Sequence, residues 1–194
     1  MSTRLSTSDS SEPALQGVHP VDAGSEAQDL PPSSRLQIIG KMKDTLAGRV
    51  MGTLMADGSD PTAVEALMTA AKEAGMSVKL IAPKVGAAKL ADGVLLAVDG
   101  QLAGMPSVMF DAVAILLSED GAKRLSTESA AIDFVRDAFG HIKALAVDRG
   151  GQVLIQAAGI RPDTGVVAAD DVDAFLTAAK TRQWERERTV RTLA

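Results

Sequence analysis

The chain predicts an α/β fold, a three-layer α/β/α sandwich around a mainly parallel sheet with a small inserted β-hairpin. Three observations carry this. Strand-like apolar runs and helix-like amphipathic segments alternate through most of residues 49–180, and such alternation builds parallel sheets covered by helices on both faces. The run DAVAILL at 111–117 is almost continuously apolar, as a strand buried on both faces should be. Two segments share one helical spacing: Val64, Leu67, Met68, Ala71 and Val172, Phe175, Leu176, Ala179 fall at i, i+3, i+4 and i+7.

Residues 1–34 hold eight serines and four of the eight prolines, with few apolar side chains. Burial there cannot offset the entropy of ordering, so a disordered tail is expected, with His19 a solvated side chain within it. Residues 35–48 carry scattered apolar positions (Leu36, Ile38, Ile39, Met42, Leu46) without a helix or strand period, which describes a connector arm lying along a surface. The folded domain then occupies 49–194. It opens with a strand at 49–56, followed by a turn and a helix with Asp60 as N-cap and Pro61 in its first turn, ending at Gly75. A strand at 76–82 completes a βαβ unit.

After Pro83, Asp92-Gly93 and Asp99-Gly100 are both hairpin turn signals. The strand at 111–117 should be central. Ser126 is expected to cap the next helix, whose inner face is Ala131, Phe134, Val135 and Ala138 and which closes at Gly140. A strand at 142–147 empties into Asp148-Arg149-Gly150-Gly151, followed by a short helix at 152–158, a strand at 165–169 and a last helix capped by Asp170 or Asp171. Trp184, the sole tryptophan, is expected to pack that helix onto its neighbours. The arginine- and glutamate-rich end from 182 reads as a solvated face.

Composition removes several function classes. The net charge of −5 disfavours nucleic acid and anionic membrane surfaces as partners, and 3% aromatics leave little for base stacking. No apolar run reaches the length of a spanning helix and no secretory h-region is present near Met1, so a cytoplasmic location is expected. Zero cysteine excludes disulfides, thiolate metal sites and cysteine nucleophiles, and zero tyrosine removes a further acid and ligand.

In open α/β sheets, ligands sit beyond the carboxyl ends of the strands. The candidate residues there are Asp57 and Asp60 after the first strand, Ser118 and Glu119 after the 111–117 strand, and Asp148 and Arg149 after the 142–147 strand. Neither a GxGxxG nor a Walker phosphate loop follows the first strand, and its two carboxylates would repel a pyrophosphate. A magnesium site made by Asp57, Asp60, Glu119 and Asp120 is the alternative to plain capping and turn formation; capping is the reading adopted, and no metal is expected. His141, the one histidine after the tail, starts its strand rather than ending it, and no GxSxG elbow exists. No catalytic residue is assigned.

Three stretches carry a resemblance: GRVMGTLMADG at 48–58, AGMPSVMFDAVAI at 103–115 and AIDFVRDAFGHIKALA at 131–146. With the final helix running into Trp184, they resemble the C-terminal domain of large-subunit haem catalases. That domain is a flavodoxin-like member of the class I glutamine amidotransferase-like superfamily. Enzymatic members of the superfamily place a cysteine on the turn after the strand corresponding to 142–147, assisted by a glutamate from the loop after the first strand. Here that turn reads Val147-Asp148-Arg149-Gly150, and the first loop offers Asp57 and Asp60.

The resemblance therefore implies a pseudoenzyme: a non-catalytic accessory domain with a chaperone-like role, assisting folding, assembly or stability in peroxide and stress defence. Its expected partners are further copies of itself, a catalase core subunit or unfolded client proteins. Haem would belong to a catalase core, and the chain itself is expected to hold no cofactor. The alternative is a small-molecule-binding or sensing protein, or an atypical hydrolase, using the strand-end pocket formed by the six candidate residues.

Overall fold

The computed structural model describes residues 30, 31 and 33–191. The chain divides into two compact units, Met1–Gln37 and Ile38–Ala194. In the first, the Ser33 carbonyl accepts from the N–H groups of Leu36 and Gln37, closing a short turn. The expected disordered tail at 1–34, His19 included, falls largely outside the described residues.

The second unit is an α/β sandwich. In chain order its elements are β1 (Val50–Met55), α1 (Pro61–Glu73), β2 (Ser77–Ala82), β3 (Ala87–Lys89), β4 (Leu95–Ala97), β5 (Gly100–Gln101), β6 (Ala112–Leu116), α2 (Glu119–Leu125), α3 (Ser129–Gly140), β7 (Leu145–Val147), α4 (Arg149–Ala157), β8 (Val166–Ala168), α5 (Val172–Ala179) and α6 (Glu187–Arg191). Six strands form one parallel sheet in the order β5-β2-β1-β6-β7-β8, and β3 and β4 form a separate antiparallel hairpin. The fold is flavodoxin-like, with β1 and β6 at the centre.

Alternation along the strands divides the core in two, because successive side chains in a strand point to opposite faces. On one face Leu54, Val113, Ile115, Leu145 and Val147 pack with Leu125 of α2, Phe134 and Val135 of α3 and Leu154 of α4. On the other, Met51, Met55, Ala112, Ala114 and Ala146 meet Val64 and Leu67 of α1 and Phe175 of α5. The alanines of β6 and β7 let the second helix layer approach closely, which suits a core poor in aromatic side chains. In residues 38–48 only Leu46 is buried, against this second face; Ile38, Ile39 and Met42 are exposed.

Several local expectations are corrected. Asp92-Gly93 turns the β3–β4 hairpin as expected, but Asp99-Gly100 does not turn a hairpin: Asp99 accepts from Leu80 N–H at 2.8 Å and from Lys79 Nζ at 2.9 Å, fastening β5 alongside β2. Burial pushes the Asp99 carboxyl up, and these donors outweigh it, holding the group below its ordinary value. Ser126 is the C-terminal cap of α2, a helix absent from the sequence reading, and Glu128 precedes α3 instead. The strand expected at 142–147 is shorter, because Ile142 takes a left-handed conformation (φ 51°) as α3 ends. Helix α4 begins at Arg149, directly after its cap Asp148.

The charged end is not wholly solvated either. Arg186 is 3% exposed, with its guanidinium 3.9 Å from the Phe139 ring centroid. Its Nε and Nη2 donate to the two Asp163 oxygens at 2.6 and 2.7 Å, and Nη1 donates to the carbonyls of Phe139 and Lys143. Trp184 is half-buried in a short turn against residues 141–143, so it lines a depression there. Among the described residues, no helix is long and apolar enough to cross a membrane.

Candidate functional site

Because the chain leaves β1 for β2 on one side and later returns to β6 on the other, the topological switch lies between the carboxyl ends of β1 and β6. A ligand crevice would open there. Two serine side chains bridge it, with a depression to either side. Ser59, fully buried, accepts from Ala56 N–H at 3.0 Å and donates to the Leu116 carbonyl at 2.6 Å, tying the two strand ends together. Ser118 donates to the Asp57 carbonyl at 2.7 Å and accepts from Gly121 N–H at 3.0 Å, capping α2 against the β1 loop.

The candidate carboxylates serve the backbone in the same way. Asp57 accepts from Lys89 N–H at 3.0 Å, anchoring the hairpin, and Asp60 accepts from Thr62 N–H at 2.9 Å as the N-cap of α1. Asp148 uses both oxygens, one on Gly151 N–H at 2.6 Å as the N-cap of α4, the other on Leu117 N–H at 2.8 Å. Burial raises the Asp148 carboxyl above its ordinary value, and the N–H donors of Gly151, Leu117 and Gly150 offset only part of that. Its backbone is extended (φ −86°, ψ −173°), so the turn after β7 holds no strained residue.

Gly150 and Gly151 explain how α4 can start so close to the sheet. A Cβ on Gly150 would overlap the Leu117 carbonyl oxygen, and one on Gly151 would lie 2.6 Å from the Ile115 carbonyl oxygen.

The six candidate residues therefore do not form one pocket. Asp57 borders a cleft of about 450 Å³ beneath the hairpin, floored by Ala56, Ala82, Leu102 and Leu125 and rimmed by Lys84 and Arg124. Asp60, Asp148 and Arg149 border a separate depression between the starts of α1, α4 and α5. Ser118 and Glu119 line neither, and Glu119 is exposed in the first turn of α2. Among the described residues, no group of three or more metal-ligating side chains comes together.

At the carboxyl ends of β1, β6 and β7, serine and aspartate side chains are thus hydrogen-bonded to the backbone. The model of the C-terminal domain found in long catalases matches residues 47–185. The chain belongs to that family. It is 38% identical over 179 residues to Catalase C of Rhizobium meliloti (strain 1021), covering 89% of this chain and 25% of that protein. It is also 30% identical over 168 residues to Catalase HPII of Pseudomonas putida, covering 84% and 23%. The chain thus spans about a quarter of the length of the catalases it matches.

Solved structures of similar shape include a DJ-1 superfamily protein from Salmonella typhimurium, with TM-score 0.59, 16% identity and coverage of 75% of this chain and 96% of that one. A ThiJ/PfpI domain protein from Brachyspira murdochii gives TM-score 0.57 at 14% identity, covering 71% and 96%. At such identities the likeness establishes the fold of this catalase C-terminal domain and nothing more.

Sequence reasoning missed Ser59 as the closing residue, since a serine in an Asp-Gly-Ser-Asp turn reads as turn chemistry. It also missed Lys143 and Arg186. A lone lysine interrupting the apolar run at 142–147 was the available signal for the first.

Proposed function

We propose that this chain is the non-catalytic accessory domain of a catalase, assisting the folding, assembly or stability of the haem-bearing part. The observation supporting it is the state of the strand ends: in a domain of the catalase family, the polar groups at the expected reactive position are occupied by backbone capping. Both Asp148 oxygens are spent on backbone N–H groups, one of them at the start of α4, which fits a structural cap at this turn. Chemistry on peroxide, in this reading, belongs to the haem core, and the chain holds no cofactor.

The purified chain, mixed with haem and then with hydrogen peroxide, should show no Soret band of a ligated haem and no oxygen release. It should also reduce the light scattering of a heat-stressed haem catalase core at stoichiometric ratio. A Soret band with oxygen release contradicts the non-catalytic assignment, and scattering that is unchanged contradicts the assisting role.

A second reading, ligand binding beside the strand ends, is favoured by the cleft under the hairpin. Its floor is apolar, and Lys84 and Arg124 on its rim make no ion pair among the described residues. A calorimetric titration with small carboxylates that shows no heat of binding there would remove it.

A further inference from the structure

Away from the strand ends, irregular features converge at the opposite end of the sheet, where residues 182–186 cross the approach to β7. Ile142 is the only non-glycine residue among the described ones with a positive φ, a conformation disfavoured for a β-branched side chain. Its carbonyl accepts from Gln183 N–H at 2.8 Å, so the crossing segment holds it in place. Lys143 follows, 3% exposed, its Nζ donating one hydrogen bond of 2.6 Å to the Ser107 carbonyl. Ser107 is itself fully buried, and its hydroxyl has no partner.

Lys143 makes no ion pair among the described residues. A buried ammonium with a single neutral acceptor has no direct ion pair, only the longer-range attraction of Asp111 and Asp137. The titratable and charged groups around it are Asp137 and His141 from the end of α3, Asp111 from the start of β6, and Arg182 and Arg186 from the crossing segment. Arg182 is engaged with Asp111 at 3.6 Å, and Arg186 with Asp163. Beside these groups lies a shallow depression of about 440 Å³ lined by Val108, His141, Ile142, Lys143, Arg182 and Trp184.

We propose that this depression binds a small monocarboxylate with a flat apolar body. The ligand's carboxylate would pair with the Lys143 ammonium, Arg182 adds to the positive field, and Val108 and Trp184 form the apolar walls. A monoanion fits better than a phosphate, because Asp111 and Asp137 flank the amine and would oppose a second negative charge. Burial, and then the nearby Arg182, lower the Lys143 amine to about 8, with Asp111 and Asp137 pulling the other way. A bound carboxylate would favour the charged amine, so binding takes up a proton near that pH.

Trp184 is the only tryptophan in the chain, so its fluorescence reports this place alone. The full chain titrated with benzoate at neutral pH should give a saturable change. Affinity should fall at least tenfold when the pH is raised well above 8, should fall as much for uncharged benzamide, and should be lost in Lys143→Met. No saturable change, equal affinity for benzamide, or an affinity unaffected by pH would overturn the proposal. The benzamide and pH arms use the unaltered chain, so the test stands even if the variant does not fold. None of these outcomes depends on whether the chain assists a catalase core.

Discussion

Arg186 shows how much one side chain in the charged end contributes. Burial pushes the Asp163 carboxyl up, and the Arg186 guanidinium with Gly165 N–H overcomes that, holding it below the ordinary carboxylate value. The interaction is therefore present at neutral pH and is lost as acid protonates Asp163. Arg186→Ala leaves Asp163 without its bidentate partner and two buried carbonyls with fewer donors. Because Asp163 keeps about a third of its side chain in solvent, chemical denaturation at neutral pH should show a loss of about 2–3 kcal/mol. Lys143 works the other way. Its amine titrates lower in the folded chain, near 8 against 10.5, so the folded state binds fewer protons across that interval and unfolding free energy rises with pH through it. Lys143→Met should stabilise the chain at neutral pH by about 1–3 kcal/mol and flatten that rise. Neither residue was legible as buried, because a base-rate reading places lysine and arginine in solvent, and only tertiary contacts decide otherwise.

At the scale of elements, the strand-end turns are set by glycine and by short capping side chains. Alanine in place of Gly150 favours helix by up to about 1 kcal/mol. The new Cβ, however, would overlap the Leu117 carbonyl oxygen, a backbone atom already in the sheet. Gly150→Ala should therefore destabilise by about 2 kcal/mol or more in denaturant melts, while Gly140→Ala, where a Cβ meets nothing within 4 Å, should not. The amphipathic helices α1 and α5 were legible because their apolar spacing is regular and Asp60 and Asp171 cap them. Helix α2 was not, since its seven residues, EDGAKRL, bury only Gly121, Ala122 and Leu125 and show no period. The candidate residues follow strand ends, yet which of them share a depression depends on loop packing that spacing along the chain does not encode.

On the scale of the whole molecule, the architecture followed from the alternation of elements, and β6 took its central place because both of its faces are apolar. The strand ends at β1 and β6, where this sheet order should open a crevice, are bridged by Ser59 and Ser118. With those strand ends bridged, the proposed accessory role would fall to the domain's surfaces, where a catalase core would bind. Mass determination by light scattering, on the chain alone and mixed with a separately produced haem catalase core, tests this most directly. A stable complex of defined stoichiometry is expected, with its core component unfolding at a higher temperature than the core alone. Two independent species, with the core's unfolding temperature unchanged, would contradict it.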